Sequence, residues 1–351
     1  MNDTAQTSAG SADRQAFYSQ IEQHSLAPLW ERLHALVTRT PTTPVLPAHW
    51  NYDDVVRPYL MRAGGLITAK EAERRVLILE NPGLKGHTCI THSLFAGLQL
   101  ILPGEVAPAH RHAQSALRFI IEGHGAYTAV EGERTLMEPG DFVITPSWTW
   151  HDHGNETDQP MVWLDGLDIP MIRLLDASFM EPANADSQSI ARPAGDSLAR
   201  YGANMVPVDW QPERKSSPVF SYPYSRSREA LQTLSRNGEP DACHGYKLRY
   251  INPASGSAPM PTIGAFMQLL PGGFRSAPYR STDGTVYSVV EGEGETTIGD
   301  TVFRWKPRDL FVVPSWQRHT HSASKDAVLF SFSDRPVQEM LSLWREERGD
   351  A

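Results

Sequence analysis

The chain has little cysteine, no cationic surplus and no long apolar run. Cys89 and Cys243 are the only thiols in 351 residues. One disulfide is conceivable, but a disulfide scaffold or a cysteine-rich zinc site is excluded. A reducing, cytoplasmic setting is the simplest one. Lys and Arg number 32 against 41 Asp and Glu, a net charge of −9 with His neutral. No basic cluster appears, so no nucleic-acid partner is expected. An acidic chain does not draw anions by its overall field, so any acid it binds must meet a local cationic group. No apolar stretch approaches the ~18 residues of a membrane span. Met1 to Asp13 lacks both a basic and an apolar region and is expected not to be a secretory signal.

What is present is turn-forming residues and histidine. Gly 26 and Pro 27 favour short strands joined by tight turns. Of 13 histidines, five fall between His110 and His153. Residues 1–12 read as unstructured. Phe17, Ile21, Leu29, Leu33 and Leu36 then predict a helical segment that Pro28 breaks. Residues 40–50 read as irregular, and Thr68 to Glu71 as a capping box. From about 87 to 169, stretches such as LRFIIEG, DFVITPSW and MVWLDGLD alternate with Gly, Pro and Asp turns, the pattern of an all-β domain. Residues 185–246 read as a connector. A second β region covers 247–333. Asp334, Pro336, Val337, Met340, Leu341 and Trp344 predict a C-terminal helix over 334–351. The expected segments are 1–85, 86–184, 185–246, 247–333 and 334–351.

The two β regions repeat one another. LPGEVAPA at 102–109 matches LPGGFRSA at 270–277, and PGDFVITPSWTWHDH at 139–153 matches PRDLFVVPSWQRHTH at 307–321, both 168 residues apart. IIEGHGAYT at 120–128 matches VVEGEGETT at 289–297 with a one-residue slip. That predicts two β-barrels from one duplicated unit.

His110-Arg-His112 places two imidazoles on one face of a strand, spaced to grip one cation. His151 follows in Gly140-x5-Pro146-x-Trp148-x2-His151-x3-Asn155. With Gly104-x5-His110-x-His112 and Gly123, this resembles the two-part signature of the cupin superfamily, small jelly-roll barrels in which an HxH and a later His converge on one metal. The fold expected is therefore a bicupin: all-β, two jelly-roll barrels, a helical N-terminal segment and a C-terminal helix. Where cupins often carry a fourth, Glu ligand this chain has Ala116. Arg118, two residues on, faces the same interior, and a buried Arg needs an anion. Trp148 stands where Gly is usual. Three neutral imidazoles suit Fe, Zn, Cu or Ni, and open positions favour a metal that takes both a substrate and dioxygen. In the second barrel His319 and His321 repeat His151 and His153, but Pro278-Tyr279-Arg280-Ser281 replaces the HxH. No metal is expected there, only packing and subunit contact.

The stretch from LQLILPGEVAPAHRH to TWHDHGN, with MVWLDGLDIPM and ENPGLKG, resembles the gentisate 1,2-dioxygenases. These belong to a bicupin ring-cleaving group with the salicylate and 1-hydroxy-2-naphthoate dioxygenases. The resemblance implies one Fe(II) per subunit in the first barrel, held by His110, His112 and His151, and often a homotetramer. It implies a small aromatic acid and O2 as reactants, with gentisate (2,5-dihydroxybenzoate) opened to maleylpyruvate between its carboxyl-bearing and hydroxyl-bearing carbons. Arg118 and Arg74 match the arginines that hold the carboxylate. The residues alone leave open whether Arg74 or Arg75 enters the site, and the resemblance favours Arg74. Gln99 matches a polar group near the chelated hydroxyl, and His153 a histidine near substrate and oxygen. Trp163 matches a pocket wall, with core packing an equal alternative. Asp165 matches a partner for the 5-hydroxyl, and Gly97 a small residue that leaves room for the ring. The alternatives are the sister substrates, a non-catalytic metal-binding bicupin, and a metal-dependent cupin isomerase or hydrolase that works without oxygen.

Overall fold

A computed structural model describes residues 3–349, in two compact units, 1–42 and 43–351. The first unit is a helix Asp3–Glu22 and a helix Leu29–Leu36 that starts at Pro28. The break at Pro28 is as expected. The first helix begins earlier than expected, because Ala5, Gln6, Ala9 and Ala12 are good helix formers despite their small apolar content. Tyr18 ties the two helices, accepting from Trp30 Nε1 at 2.9 Å and donating to Glu31.

The second unit is strand-rich. In chain order its first strands are β1 Ala48–Trp50, β2 Val76–Ile78, β3 Phe95–Ile101, β4 Val106–His112, β5 Ala116–Glu122, β6 Tyr127–Val130 and β7 Glu133–Leu136. Then come β8 Phe142–Thr145, β9 His151–Gly154, β10 Met161–Leu167, β11 Met180–Pro182 and β12 Ser221–Tyr222. The second half supplies β13 Tyr246–Arg249, β14 Gly264–Leu270, β15 Tyr279–Ser281, β16 Thr285–Glu291 and β17 Gly294–Ile298. It closes with β18 Thr301–Trp305, β19 Leu310–Val313, β20 His319–Ala323, β21 Ala327–Ser333 and β22 Glu346–Arg348. One barrel combines the sheets β12-β8-β5-β10-β3-β2 and β11-β4-β9-β6-β7. The other combines β1-β19-β16-β21-β14-β13 and β18-β17-β20-β15-β22. The bicupin expectation holds.

Alternation along the strands decides what each face does. On one face of the first six-stranded sheet, Leu98, Leu117, Phe119 and Leu164 join Met267, Val286, Phe330 and Phe332 in a single buried core between the barrels. Phe119 and Phe330 stack with ring centroids 4.0 Å apart and planes 4° from parallel. Gly166 must lack a side chain, since a Cβ there would stand 2.8 Å from the Phe332 ring. The opposite face carries Gly97, Gln99, Arg118, Trp163 and Asp165 into the first barrel, in register: Gln99 opposite Trp163, and Asp165 opposite both Gly97 and Arg118.

The duplication extends beyond the β regions. Residues 48–50, expected to be irregular, form β1 and pair with β19 of the second barrel. Ser221–Tyr222, from the expected connector, pair with β8 of the first barrel. Each strand leads into a tyrosine and a helix, Arg57–Leu66 after β1 and Tyr224–Arg236 after β12. The Tyr52 backbone N–H donates to Asp309 at 2.9 Å, and its hydroxyl to Glu122 at 2.8 Å, a carboxylate that Arg57 also grips. The Tyr224 backbone N–H donates to Asp141 at 2.8 Å, and its hydroxyl to Glu291, which Arg228 also holds. The two clasps are reciprocal and join the barrels at both ends.

The C-terminal helix is present but short, Arg335–Met340. Ser342 takes a left-handed φ of 60° and the chain turns back as β22 against β15. Both cysteines are free and buried. Among the described residues no helix is long and apolar enough to cross a membrane. Phe330→Ala is expected to cost about 3–5 kcal/mol, the usual toll of emptying a buried Phe site. Chemical denaturation followed by tryptophan fluorescence measures it, and a change under 1 kcal/mol would show that the stack does not hold the barrels together.

Candidate metal centre and its cationic wall

His110 and His112 stand two apart on β4, and His151 lies directly opposite His110 on β9. A bulge between Ala107 and His110 turns this end of β4 against its partner. Ring centroids are 4.3 Å apart for His110 and His151, 4.8 Å for His112 and His151, and 5.2 Å for His110 and His112. One ring nitrogen from each lies within 4.8 Å of the others, and this is the one such group among the described residues. The orientation of each ring is set from behind. His110 Nδ1 faces the Pro108 carbonyl at 3.1 Å, His112 Nδ1 that of Gln114 at 2.9 Å, and His151 Nδ1 that of Thr149 at 2.9 Å. A hydrogen on the Nδ1 of His112 and of His151 leaves each Nε2 with a free lone pair, the arrangement a metal-binding imidazole needs, while at His110 the Arg74 guanidinium competes for Nδ1. His151 Nε2 is buried with no hydrogen-bond partner. Burial, then neighbouring Arg74, holds His110 down to about 3, burial holds His112 to about 4, and His151 falls well below its ordinary value for the same reason. Three neutral nitrogen donors aimed at one point fit a divalent transition metal.

The turn behind His112 explains Trp148. Its φ is +61°, a left-handed conformation where Gly is the easy choice. Its N–H donates to the His112 carbonyl at 2.8 Å, so the turn holds the ligand strand. The ring packs on Phe179 with centroids 4.4 Å apart, and the Arg111 guanidinium sits 4.5 Å over it. Trp316 repeats the conformation in the second barrel, with Arg280 4.6 Å above its ring.

Beside the imidazoles stand two guanidinium groups. Arg118 is 4% exposed and donates to Thr145 Oγ1; its Nε makes no hydrogen bond and lies 3.6 Å from Asp165 Oδ1. Arg74 Nη2 donates to the Pro108 carbonyl at 2.8 Å and lies 2.6 Å from His110 Nδ1. Burial, then repulsion from Arg118, draws Arg74 down to about 10, so it stays charged at neutral pH. Arg75 turns away, paired with Glu105 at 2.8 Å and donating to the Ile67 carbonyl. The neighbour that decides between the two arginines is therefore Glu105, a signal legible only once the strands are paired. Asp165, raised to about 6 by burial, is the one carboxylate in this group and also accepts from Trp163 Nε1 at 3.0 Å.

His153 is fully buried; its Nδ1 shares a hydrogen bond with Thr128 Oγ1 at 2.9 Å and its Nε2 has no partner. Its ring centroid is 5.8 Å from His151 and 5.5 Å from Trp163. Trp163 packs in a core with Ile101, Ile120 and Met137 while its Nε1 donates to Asp165. A Cβ on Gly97 would lie 2.5 Å from Val76 Cγ1, so the constraint there comes from β2. Sequence reasoning missed Thr128 and Thr145, which position His153 and Arg118. The repeat carried a trace of the first, because Thr296 holds His321 in the same way at 2.8 Å.

A cupin domain model matches residues 97–167 and 265–332. The gentisate 1,2-dioxygenase 1 of Aquipseudomonas alcaligenes is 62% identical over 96% of both chains. The chain belongs to the gentisate 1,2-dioxygenase family. The 5-aminosalicylate 1,2-dioxygenase of Comamonas sp is 38% identical over 95% of this chain and 90% of that one. A salicylate 1,2-dioxygenase of Pseudoaminobacter salicylatoxidans, solved as adducts with gentisate, superposes with a TM-score of 0.91 at 32% identity, covering 97% of this chain and 94% of that one. Family members thus carry names for several substituted salicylates as well as gentisate.

For this family member, His151→Ala is expected to abolish stoichiometric metal binding, measured by plasma mass spectrometry on dialysed protein. His319→Ala is expected to leave metal content unchanged. Equal loss in both would contradict a single centre in the first barrel.

Proposed function

We propose that the protein opens the ring of gentisate with dioxygen, between the carboxyl-bearing carbon and its hydroxyl-bearing neighbour, giving maleylpyruvate. His110, His112 and His151 would hold one Fe(II) per subunit. Such an ion supplies the redox chemistry that lets dioxygen react with an aromatic ring. The observation that carries the reading is the charge beside the triad: two arginines, three neutral imidazoles and one carboxylate.

Each residue then has a task. Arg118, whose Nε makes no hydrogen bond and lies 3.6 Å from Asp165 Oδ1, receives the substrate carboxylate. Arg74 joins it: once the His110 Nδ1 carries hydrogen, the nearby guanidinium faces another donor and is free to turn to an anion. Gln99, buried on the same face as Trp163 and Arg118, supports the 2-hydroxyl. His153 offers its unpartnered Nε2 as the group that takes and returns a proton at the reacting oxygen atoms. Trp163 walls the pocket and excludes water. Asp165 accepts from the 5-hydroxyl with the oxygen that Trp163 does not occupy; the space beside Gly97 is filled by Val76, so its small size serves packing against β2. The same reading carries a homotetramer and a cytoplasmic setting. Two free buried thiols accord with the latter, and exposed Leu29, Trp30, Leu33 and Leu36 offer apolar surface for subunit contact.

Oxygen uptake with gentisate, and growth of maleylpyruvate absorbance in iron-loaded protein, tests the activity; neither signal with gentisate would reject it. Substrate choice among the family's aromatic acids is tested through Asp165. Asp165→Asn is expected to weaken anaerobic gentisate binding by roughly 10-fold or more, the worth of a hydrogen bond to a charged group. Salicylate, which lacks the second hydroxyl, is expected to lose much less. Equal losses would remove Asp165 from the discrimination.

A further inference from the structure

The second barrel contains a cavity of about 210 Å3 lined by Lys247, Tyr279, Ser281, Tyr287, Phe266 and His319, among others. Strand register shows where it lies. His110 pairs with His151 in the first barrel, and Tyr279 pairs with His319 in the second. Tyr279 therefore stands at the position of His110, and Ser281, two residues on, at that of His112. Arg118 lies opposite Asp165, which lies opposite Gly97; their counterparts are Tyr287, Ser331 and Phe266. The cavity thus occupies the place that the metal and substrate site occupies in the first barrel, with one of three imidazoles kept. Arg118 has been replaced by a neutral tyrosine.

A cation has been added on a different strand. Lys247 lies on β13, opposite Gln268, with its ammonium 5.1 Å from the Phe266 ring and 5.5 Å from the Tyr287 ring. Among the described residues it has no hydrogen-bonded acid; the Asp283 carboxylate lines the same cavity and favours the charged ammonium, while its Oδ1 accepts from Trp344 Nε1 at 2.9 Å. The neighbouring Arg335 is committed to Glu339 at 2.7 Å and to the face of Trp344 at 3.8 Å. Burial lowers Lys247 to about 8, which leaves it mainly charged at neutral pH. His319 and His244, held down by burial to about 4 and about 3, add no charge. A charged ammonium set between aromatic faces, with Asp283 near but not hydrogen-bonded to it, keeps its N–H donors open to an anion.

We propose that this cavity is a second binding site, for a small flat carboxylate such as a single-ring aromatic acid, which is bound and not turned over. Lys247 pairs with the carboxylate, the Tyr287 hydroxyl is a hydrogen-bond donor, and the faces of Phe266 and Tyr287 flank the apolar body. The volume lies below the ~300 Å3 at which drug-sized pockets begin, so one ring is the upper limit.

Benzoate is the probe, since it has the carboxylate and ring but no hydroxyl to be oxidised. Titration calorimetry compares the metal-loaded full chain with Arg118→Met and Lys247→Met. Arg118→Met is expected to retain one benzoate site per chain. Adding Lys247→Met to it is expected to weaken that site at least tenfold. Lys247→Met alone is expected to keep its thermal unfolding midpoint and its oxygen uptake with gentisate. No benzoate binding to Arg118→Met, or equal binding by the double variant, would overturn the proposal. Because the readout is binding, it stands or falls separately from the activity, which the oxygen uptake of the unsubstituted chain reports.

Discussion

Buried positive charge governs this molecule. Arg118 and Arg74 lie beside three imidazoles that burial keeps neutral, and Asp165 is the carboxylate that answers both of them. Such an arrangement is costly in isolation, because taking an ion out of water costs several kcal/mol that only a partner offsets. An anionic aromatic acid is such a partner. The overall charge of −9 gives it no help. On the proposed reading, attraction is confined to one wall of one barrel and depends on the acid group of the substrate.

The fold exists to hold that wall still. Arg118, Asp165 and Gly97 project from adjacent strands at matching register, and the other face of the same sheet is glued to the second barrel by Phe119 on Phe330. The ligands sit on the opposing sheet, with each ring oriented by a backbone carbonyl and the His112 strand held by the turn at Trp148. Two reciprocal tyrosine clasps, at Tyr52 and Tyr224, close the unit from both sides. The second barrel preserves the frame while changing its contents: Tyr279 and Ser281 stand at two ligand positions, and Lys247 supplies a cation from another strand.

Much of this was legible in the residues. His110, His112 and His151 stand in a spaced pattern, and the repeats at 102 and 270 and at 139 and 307 announce the duplication. What was not legible depends on pairing across long separations. Residues 48–50 look irregular because three residues carry no periodicity, yet they complete the second barrel. The choice of Arg74 over Arg75 rests on Glu105, and the orientation of the ligands rests on carbonyls, which carry no sequence signal at all. Trp148 departs from the Gly pattern because contacts with Phe179 and Arg111 offset a strained φ. The C-terminal segment has helical spacing through Trp344, but the helix ends at Met340 and Ser342 reverses the chain.

The central claim is that a carboxylate completes the charge of the site. Its most direct test is anaerobic equilibrium binding to the iron-loaded protein of gentisate against hydroquinone, which keeps both hydroxyls and lacks the carboxylate. Hydroquinone is expected to bind at least tenfold more weakly, and Arg118→Met is expected to remove most of this difference by weakening gentisate alone. Equal affinity for the two, or a difference untouched by Arg118→Met, would contradict it.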